Sequence, residues 1–223
     1  MYYAIKPVMT EILSEVEARV IGSLIEKQLT TPEYYPLTLN GLVAACNQKS
    51  NREPVVSYDD DTVNKTLDHL RQKNLVYVFY GSTSRVPKYK HMFQDFFKLE
   101  PSEVAVLCVL MLRGAQTLGE IRERSRRLYE FKDFGDANET LDALINRDEP
   151  LVIKLERQPG QKESRYAHLL CGEVIQPTIT HTTVSEKVAD NERVEKLETE
   201  LENLRIEFET FRQEFADFKK QFE

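Results

Sequence analysis

The residues best suited to chemistry in this chain are basic side chains in or beside two predicted β-hairpins. Nucleic-acid binding requires cations that face phosphates and side chains that reach bases. A hairpin tip has little structural need of charge, so cations there are candidates for phosphate contacts. The candidates are Arg85, Lys88, Tyr89 and Lys90 in the first hairpin, Arg157, Lys162 and Arg165 in the second, and Lys49 and Arg52 in an amide-rich loop.

A further basic stretch lies on a predicted helix in the second half of the chain. Its arginines are Arg122, Arg124, Arg126 and Arg127, of which Arg122 and Arg126 are one helical turn apart. Glu120 and Glu123 precede Arg124 and Arg127 by four residues, a spacing that suits ion pairs within a helix. The pattern fits a phosphate-binding face and a solvated, self-paired face equally well. Arg122 and Arg126 are the candidate contacts in the first case.

Residue patterns typical of a catalytic or metal centre do not occur in the sequence. The four histidines, His69, His91, His168 and His181, are scattered, and none has metal-ligand spacing to a cysteine or carboxylate. The sequence has no nucleophile elbow and no glycine-rich phosphate loop. His91 and His168 occupy matched places in the two hairpins, which fits either a paired site or strand residues with satisfied hydrogen bonds. We expect a non-enzymatic protein with neither metal nor cofactor.

The elements that position these residues are indicated by a motif that occurs twice. Thr66-Leu67-Asp68-His69-Leu70 returns as Thr140-Leu141-Asp142-Ala143-Leu144, and three helices and a two-stranded hairpin surround each copy in the same order. Capping-box patterns begin at Ser14 and Thr117. Three helices closed by a hairpin is the winged-helix plan. We predict a mainly α fold with small β-hairpins (α+β), made of tandem winged-helix domains at residues 1–98 and 99–173.

The third helix of each predicted domain is acidic, which bears on how nucleic acid would bind. The acids are Asp59, Asp60, Asp61 and Asp68 in the first copy, and Asp136, Glu139 and Asp142 in the second. In helix-turn-helix relatives the equivalent helix enters the major groove. Acids near a helix N-terminus favour the helix dipole, but they repel phosphate. We therefore expect the hairpins or the arginine helix to contribute more to binding than the third helix.

The net charge of −7 is concentrated at the C-terminal end of the sequence. Residues 1–100 carry 12 basic and 12 acidic side chains, residues 101–183 carry 11 and 13, and residues 184–223 carry 7 and 12. A near-neutral body excludes neither nucleic acid nor protein as a partner.

The three cysteines are widely spaced in apolar contexts. The sequence contains neither a secretory signal nor an apolar run of ~18 to 20 residues. We expect a cytoplasmic protein with reduced thiols.

The C-terminal segment has the pattern of a coiled coil. After a predicted linker at residues 174–190, apolar residues alternate spacings of three and four over 191–223, a seam of roughly 40 Å at ~1.5 Å per residue. All four g-to-e′ pairs of a parallel dimer would join opposite charges, which favours a parallel homodimer. A helix that folds back on its own domains, or that binds another partner, stays open. The seam is Val194, Leu197, Leu201, Leu204, Phe208, Phe211, Phe215, Phe218 and Phe222.

Residues 37–55, LTLNGLVAACNQKSNREPV, closely resemble the YceH family of bacterial proteins. Segments 17–27, 81–91, 107–114 and 165–170 resemble the same family, so the resemblance covers roughly residues 10–173. It implies a tandem winged-helix protein, in agreement with the repeat. The family is largely uncharacterised, so the resemblance implies neither a reaction nor particular binding residues.

Two functional hypotheses follow from the sequence. The first is a dimeric tandem winged-helix protein that binds DNA, with transcriptional regulation as a candidate role. Its coiled coil would place two bodies on symmetric half-sites. The second is a scaffold that uses its winged helices to bind protein and its tail to assemble. The cationic hairpins favour the first hypothesis. The acidic third helices and the near-neutral body favour the second.

Overall fold

The computed structural model describes residues 13–80, 86–157 and 160–174. The fold is α+β, as predicted, with helices that outnumber short antiparallel strands. In the first half the helices are α1 (Glu15–Thr30), α2 (Leu39–Cys46), α3 (Asp60–Gln72) and α4 (Phe93–Phe97), with a 3-10 turn at Pro32–Tyr34, and the strands are β1 (Val76–Tyr80) and β2 (Pro87–His91). In the second half the helices are α5 (Pro101–Arg113), α6 (Leu118–Ser125) and α7 (Phe134–Ile145), and the strands are β3 (Gln116–Thr117), β4 (Val152–Lys154) and β5 (Arg165–His168).

The two halves repeat one element order, which confirms the internal repeat. Helices α1, α2 and α3 precede the β1–β2 hairpin, and α5, α6 and α7 precede the β4–β5 hairpin. In each half the return strand also bonds to the chain just before the second helix. Tyr89 bridges Leu37 in the first half, and Tyr166 pairs with Gln116 in the second. The matched bridges show that the two hairpins occupy equivalent places in the two halves.

Local capping fixes where α1 and α6 begin, as the sequence predicts. The Glu17 N–H donates to Ser14 Oγ at 3.3 Å, and the Ser14 N–H donates to the Glu17 carboxylate at 2.7 Å. Thr117 and Glu120 make the same reciprocal pair at 3.2 and 2.9 Å. Each cap satisfies helix N–H groups that have no partner inside the helix, which stabilises a helix by ~1 kcal/mol.

One continuous hydrophobic core joins the two halves, and α1 and α5 lie at its centre. Gly22 of α1 faces Leu112 of α5 so closely that an added Cβ would lie 3.0 Å from that side chain. The Cys108 thiol donates to the Gly22 carbonyl at 3.4 Å. A small residue therefore lets the two helices approach. The domain boundary between residues 98 and 99 stays a prediction.

The repeated motif supplies core residues in both copies. Leu67, Leu70, Leu141 and Leu144 are fully or almost fully buried.

The described helices include none with the length and apolarity needed to cross a membrane. The predicted coiled coil at residues 191–223, with its whole seam, lies outside the described residues, and so does Arg85.

Candidate nucleic-acid interface

The outward side of the first hairpin carries two pairs of an aromatic ring and a lysine. In the β1–β2 register Tyr77 lies opposite Lys90, and Phe79 lies opposite Lys88. Residues directly opposite on neighbouring strands point to the same face, with Cβ atoms ~4.5 to 5.5 Å apart. Tyr77 is 62% exposed and Phe79 47% exposed, while Lys90 is exposed and Lys88 half-buried. We call Tyr77, Phe79, Lys88 and Lys90 the outer hairpin face.

The inward side of the same hairpin contains Tyr89, which we expected at the interface. Tyr89 is buried, and its N–H donates to the Leu37 carbonyl at 2.7 Å. A ring in this place packs against the core and is not available to a base, which argues against the expectation. The exposed rings of Tyr77 and Phe79 were missed at the sequence level. Their alternation with Val76 and Val78 in β1 was the signal that separates the two faces.

Arg52 is also buried and is fully engaged by its own protein. Its guanidinium donates to the two carboxylate oxygens of Glu26 at 3.0 and 2.6 Å, and its Nε and Nη2 donate to the Ala45 carbonyl at 3.2 and 2.8 Å. The same group also bonds to the Asn51 carbonyl. Arg52 therefore holds the amide-rich loop onto α1 and α2, which argues against a phosphate contact. Lys49, in the same loop, is exposed.

In the second hairpin the candidate cations divide into one structural residue and two exposed ones. The Arg165 guanidinium donates to the Ala115 carbonyl at 2.8 Å and lies 3.4 Å from the Glu120 carboxylate. It thus ties β5 to the start of α6. Arg157 and Lys162 are exposed beyond the ends of β4 and β5. These two remain available for phosphate contacts.

The arginine stretch is only partly helical, because α6 ends at Ser125. The predicted Glu120–Arg124 pair is present at 3.2 Å. Glu123, however, pairs with Arg126 at 3.4 Å rather than with Arg127 as predicted. The pair between Glu123 and Arg127 does not form because α6 ends before Arg127, so the two residues are not held one helical turn apart.

The two candidate contacts of this stretch have different surroundings. The Arg122 guanidinium lies 4.9 Å from the centre of the Phe134 ring, a cation–π arrangement. Arg126 is exposed, and its guanidinium pairs with the exposed Glu123 carboxylate. The stretch is thus partly self-paired, through Glu120 and Glu123.

The exposed side of α3 is acidic and internally paired, in line with the prediction that this helix is a poor partner for phosphate. Asp61 pairs with Lys65 at 2.6 Å, and Asp68 pairs with Arg71 at 3.0 Å. Asp59 caps the helix by accepting from the Thr62 N–H at 2.8 Å, and the hydrogen bonds from Thr62 lower the pKa of its carboxyl. The lysine and arginine of this surface are therefore already matched by carboxylates.

The matched histidines lie in the strands β2 and β5. Burial, with a smaller contribution from Lys90, lowers the pKa of His91 to about 4, and burial lowers that of His168 to about 4. Both rings are therefore neutral near pH 7. His91 Nδ1 accepts from the Phe93 N–H at 3.3 Å. Over residues 13–80, 86–157 and 160–174, no group of three or more His, Cys, Asp or Glu side chains is placed to hold a metal ion.

Comparison with known proteins confirms the resemblance seen in the sequence. A family model described as "Protein of unknown function, DUF480" matches residues 13–161. A UPF0502 protein of Opitutus terrae is 58% identical over 164 residues, which cover 73% of this chain and 71% of that protein. A UPF0502 protein of Geobacter sulfurreducens is 46% identical over 86% of this chain and 90% of its own length. The UPF0502 protein YceH of Escherichia fergusonii is 48% identical over 85% and 91%.

Proposed function

The chain belongs to the DUF480 family, and from that premise we propose that it is a non-enzymatic tandem winged-helix protein that binds DNA and regulates transcription. The proposal includes a cytoplasmic location, which the buried free thiols of Cys46 and Cys108 support. It also includes a parallel homodimer held by the heptad seam of residues 191–223. Such a dimer would present two equivalent bodies to two half-sites of a duplex.

The observation that carries the proposal is the pairing of cations with aromatic rings on the outer hairpin face. The ammonium groups of Lys88 and Lys90 suit phosphate oxygens, and the neighbouring rings of Tyr77 and Phe79 offer apolar surface to sugars and base edges. A two-stranded hairpin is narrow enough to follow a groove of DNA. Arg157 and Lys162 of the second hairpin add two exposed cations.

The charge of α3 determines which side of the body would face the duplex. Asp60, Asp61 and Asp68 are exposed on this helix, so close approach to the phosphate backbone would be unfavourable there. We therefore propose that the hairpins, and not α3, make the principal contacts. This arrangement predicts binding that depends strongly on salt.

A salt titration of binding to random-sequence duplex tests the proposal with the full chain. We compare wild type with the double variant Lys88→Gln/Lys90→Gln, and with Lys65→Gln/Arg71→Gln, which makes the same change of charge on α3. Each phosphate contact contributes ~0.9 to the slope of log K against log salt. We expect the hairpin variant to lose as much as about 1.8 of that slope and the α3 variant to retain it. Undetectable binding at low salt, or equal losses in the two variants, would refute the proposal.

The second candidate function is a protein-binding scaffold, and one observation favours it. Tyr77, Phe79, Tyr80 and Val86 are all large apolar residues with roughly half or more of their surface exposed around the same hairpin. Exposed apolar clusters commonly mark protein interfaces. A lower affinity for duplex in Tyr77→Ala/Phe79→Ala, with an unchanged salt slope, would assign the rings to DNA. If the wild type binds no duplex at any salt concentration, the protein-binding scaffold is better supported than DNA binding.

A further inference from the structure

A pocket of about 210 Å³ lies between elements of the two halves and shares no lining residue with the outer hairpin face. Its walls come from α1, the loop after α2, α5, and α6 with the turn that follows it. The loop is fixed to α5, because the Glu53 N–H donates to the Leu112 carbonyl at 2.8 Å and Arg113 donates to the side-chain oxygen of Asn51. The walls are therefore held together by contacts between the two halves.

Positive charge dominates the lining of this pocket. Four of the lining residues are cations, and a single one is a carboxylate, Glu26. The Glu26 carboxylate already accepts two hydrogen bonds from the buried Arg52, at 3.0 and 2.6 Å, and it also lies 3.6 Å from the Lys27 ammonium. The cations are Lys27 from α1, Arg113 from α5, Arg124 from α6 and Arg127 from the following turn. We call this set the cationic pocket.

The arginines of the cationic pocket have little negative charge of their own to balance them. The hydrogen bond of Arg113 goes to Asn51, a neutral amide. Arg124 contacts Glu120 at 3.2 Å, but the Glu120 carboxylate is shared with Arg165 at 3.4 Å. Arg127 is exposed and makes no ion pair with any residue that the structure describes. Burial first, and the nearby charge of Arg124 second, lower the pKa of Arg113, as expected where positive charges converge.

The residue types and the volume together define the ligand class. Guanidinium groups bind the oxygens of phosphate in pairs, through charge-assisted hydrogen bonds with a fixed fork geometry. The volume is below the ~300 to 1,000 Å³ typical of pockets for drug-sized ligands, so the occupant must be small. Cations on several walls favour an anion with more than one charge, since a single charge would leave repulsion between them.

We propose that the cationic pocket binds a small, multiply charged phosphate-type oxyanion, of about the size of pyrophosphate. The proposal does not rest on DNA binding, because a different set of residues carries it. A ligand here would touch α1 from the first half and α5 and α6 from the second. Because it binds only the folded form, it would raise the melting temperature in proportion to the logarithm of its concentration.

Adjacent arginines supply a matched pair of variants for the test. Arg127 lines the cationic pocket, whereas Arg126 lines a separate pocket of about 310 Å³ with Arg122, Glu130, Phe131 and Lys132. Both side chains are exposed, so Arg127→Gln and Arg126→Gln remove the same charge at neighbouring positions. Lys27→Gln on α1 provides a second test from another wall. Thermal unfolding without ligand establishes that each variant is folded.

The experiment measures binding of sodium pyrophosphate to the full chain by calorimetry and by thermal unfolding, against sodium chloride at equal ionic strength. Dimethyl phosphate, a singly charged phosphodiester, represents the backbone of a nucleic acid. We expect pyrophosphate to bind and to raise the melting temperature of wild type and Arg126→Gln. In Arg127→Gln and Lys27→Gln we expect the affinity to fall by about tenfold or more.

Three outcomes would overturn the proposal. One is a response to pyrophosphate no greater than the response to chloride at equal ionic strength. Another is an equal loss of affinity in Arg126→Gln and Arg127→Gln, which would indicate general attraction to a basic surface. The third is dimethyl phosphate binding as tightly as pyrophosphate, which would assign the pocket to a nucleic-acid backbone. Failure of duplex binding by the outer hairpin face would leave all three measurements unaffected.

Discussion

The change Arg52→Met removes the buried guanidinium that holds the amide-rich loop against α1 and α2. The Arg52 side chain has no exposed surface, and the side chain of its partner Glu26 is 12% exposed. Methionine keeps much of the length and volume of arginine but offers no donor. The Glu26 carboxylate and the Ala45 carbonyl would therefore lose hydrogen bonds in a place that water reaches poorly.

The expected loss of stability follows from these contacts. Removal of one partner of a buried ion pair costs ~3 to 5 kcal/mol, chiefly because the other charge stays behind. Glu26 keeps a second cation, Lys27, at 3.6 Å, which places the expected cost at the lower end, about 3 kcal/mol. For a unit of this size each kcal/mol shifts the melting temperature by ~2 to 4 °C. We therefore expect Arg52→Met to melt roughly 6 to 12 °C below wild type.

Urea and thermal unfolding followed by circular dichroism measure this cost, with Arg71→Met as the control. Arg71 pairs with Asp68 at 3.0 Å, and both side chains are about half exposed, so we expect that variant to lose less than about 1 kcal/mol. The double variant Glu26→Leu/Arg52→Met removes the stranded carboxylate and should recover at least part of the loss. A cost for Arg52→Met no larger than that for Arg71→Met would refute the burial of this ion pair. Folded Arg52→Met should keep the salt slope of wild type on duplex DNA.

Two further predictions concern acid stability and assembly. His91 and His168 have pKa values of about 4 in the folded chain, below the ordinary value of 6.5, so the unfolded chain binds more protons between these values. Their contribution to stability is fully present above pH 6.5 and is lost as the pH falls towards 4, by roughly 3 kcal/mol for each ring. Urea unfolding from pH 7 to pH 4.5 should show this decline, and His168→Phe should make it shallower; an unchanged pH profile in that variant would contradict the reasoning. For the tail, light scattering should give a dimer for the full chain and a monomer for residues 1–184, and a monomer in both would end the coiled-coil prediction.

Local signals in the sequence were sufficient for the three helices and the hairpin of each half, but not for α4 or β3. The capping boxes at Ser14 and Thr117 were predicted and are present, because both partners of each lie within three residues. The repeated Thr-Leu-Asp-x-Leu motif indicated a shared core, and its leucines are buried in both copies. Helical spacing of apolar residues encodes such burial directly, whatever the rest of the chain does.

Long-range partners were not predictable, and they changed the candidate site. Arg52 binds Glu26, which is 26 residues away along the chain, and Tyr89 bridges Leu37, which is also distant in sequence. A single sequence shows an arginine in a polar loop and a tyrosine among lysines, but not which of them is buried. The same limit applies to Arg165, whose contacts with Ala115 and Glu120 depend on how β5 meets α6.

The sequence by itself determined the repeat, the helix starts, the family resemblance and the supply of basic residues, because these depend on neighbours along the chain. Only the tertiary structure decided which of those basic residues face solvent and which face one another. Lys27, Arg113 and Arg127 are 14 or more residues apart, and they line one pocket because α1 packs against α5. Packing of distant helices brings like charges together against their mutual repulsion, and no pattern of local spacing records where that happens.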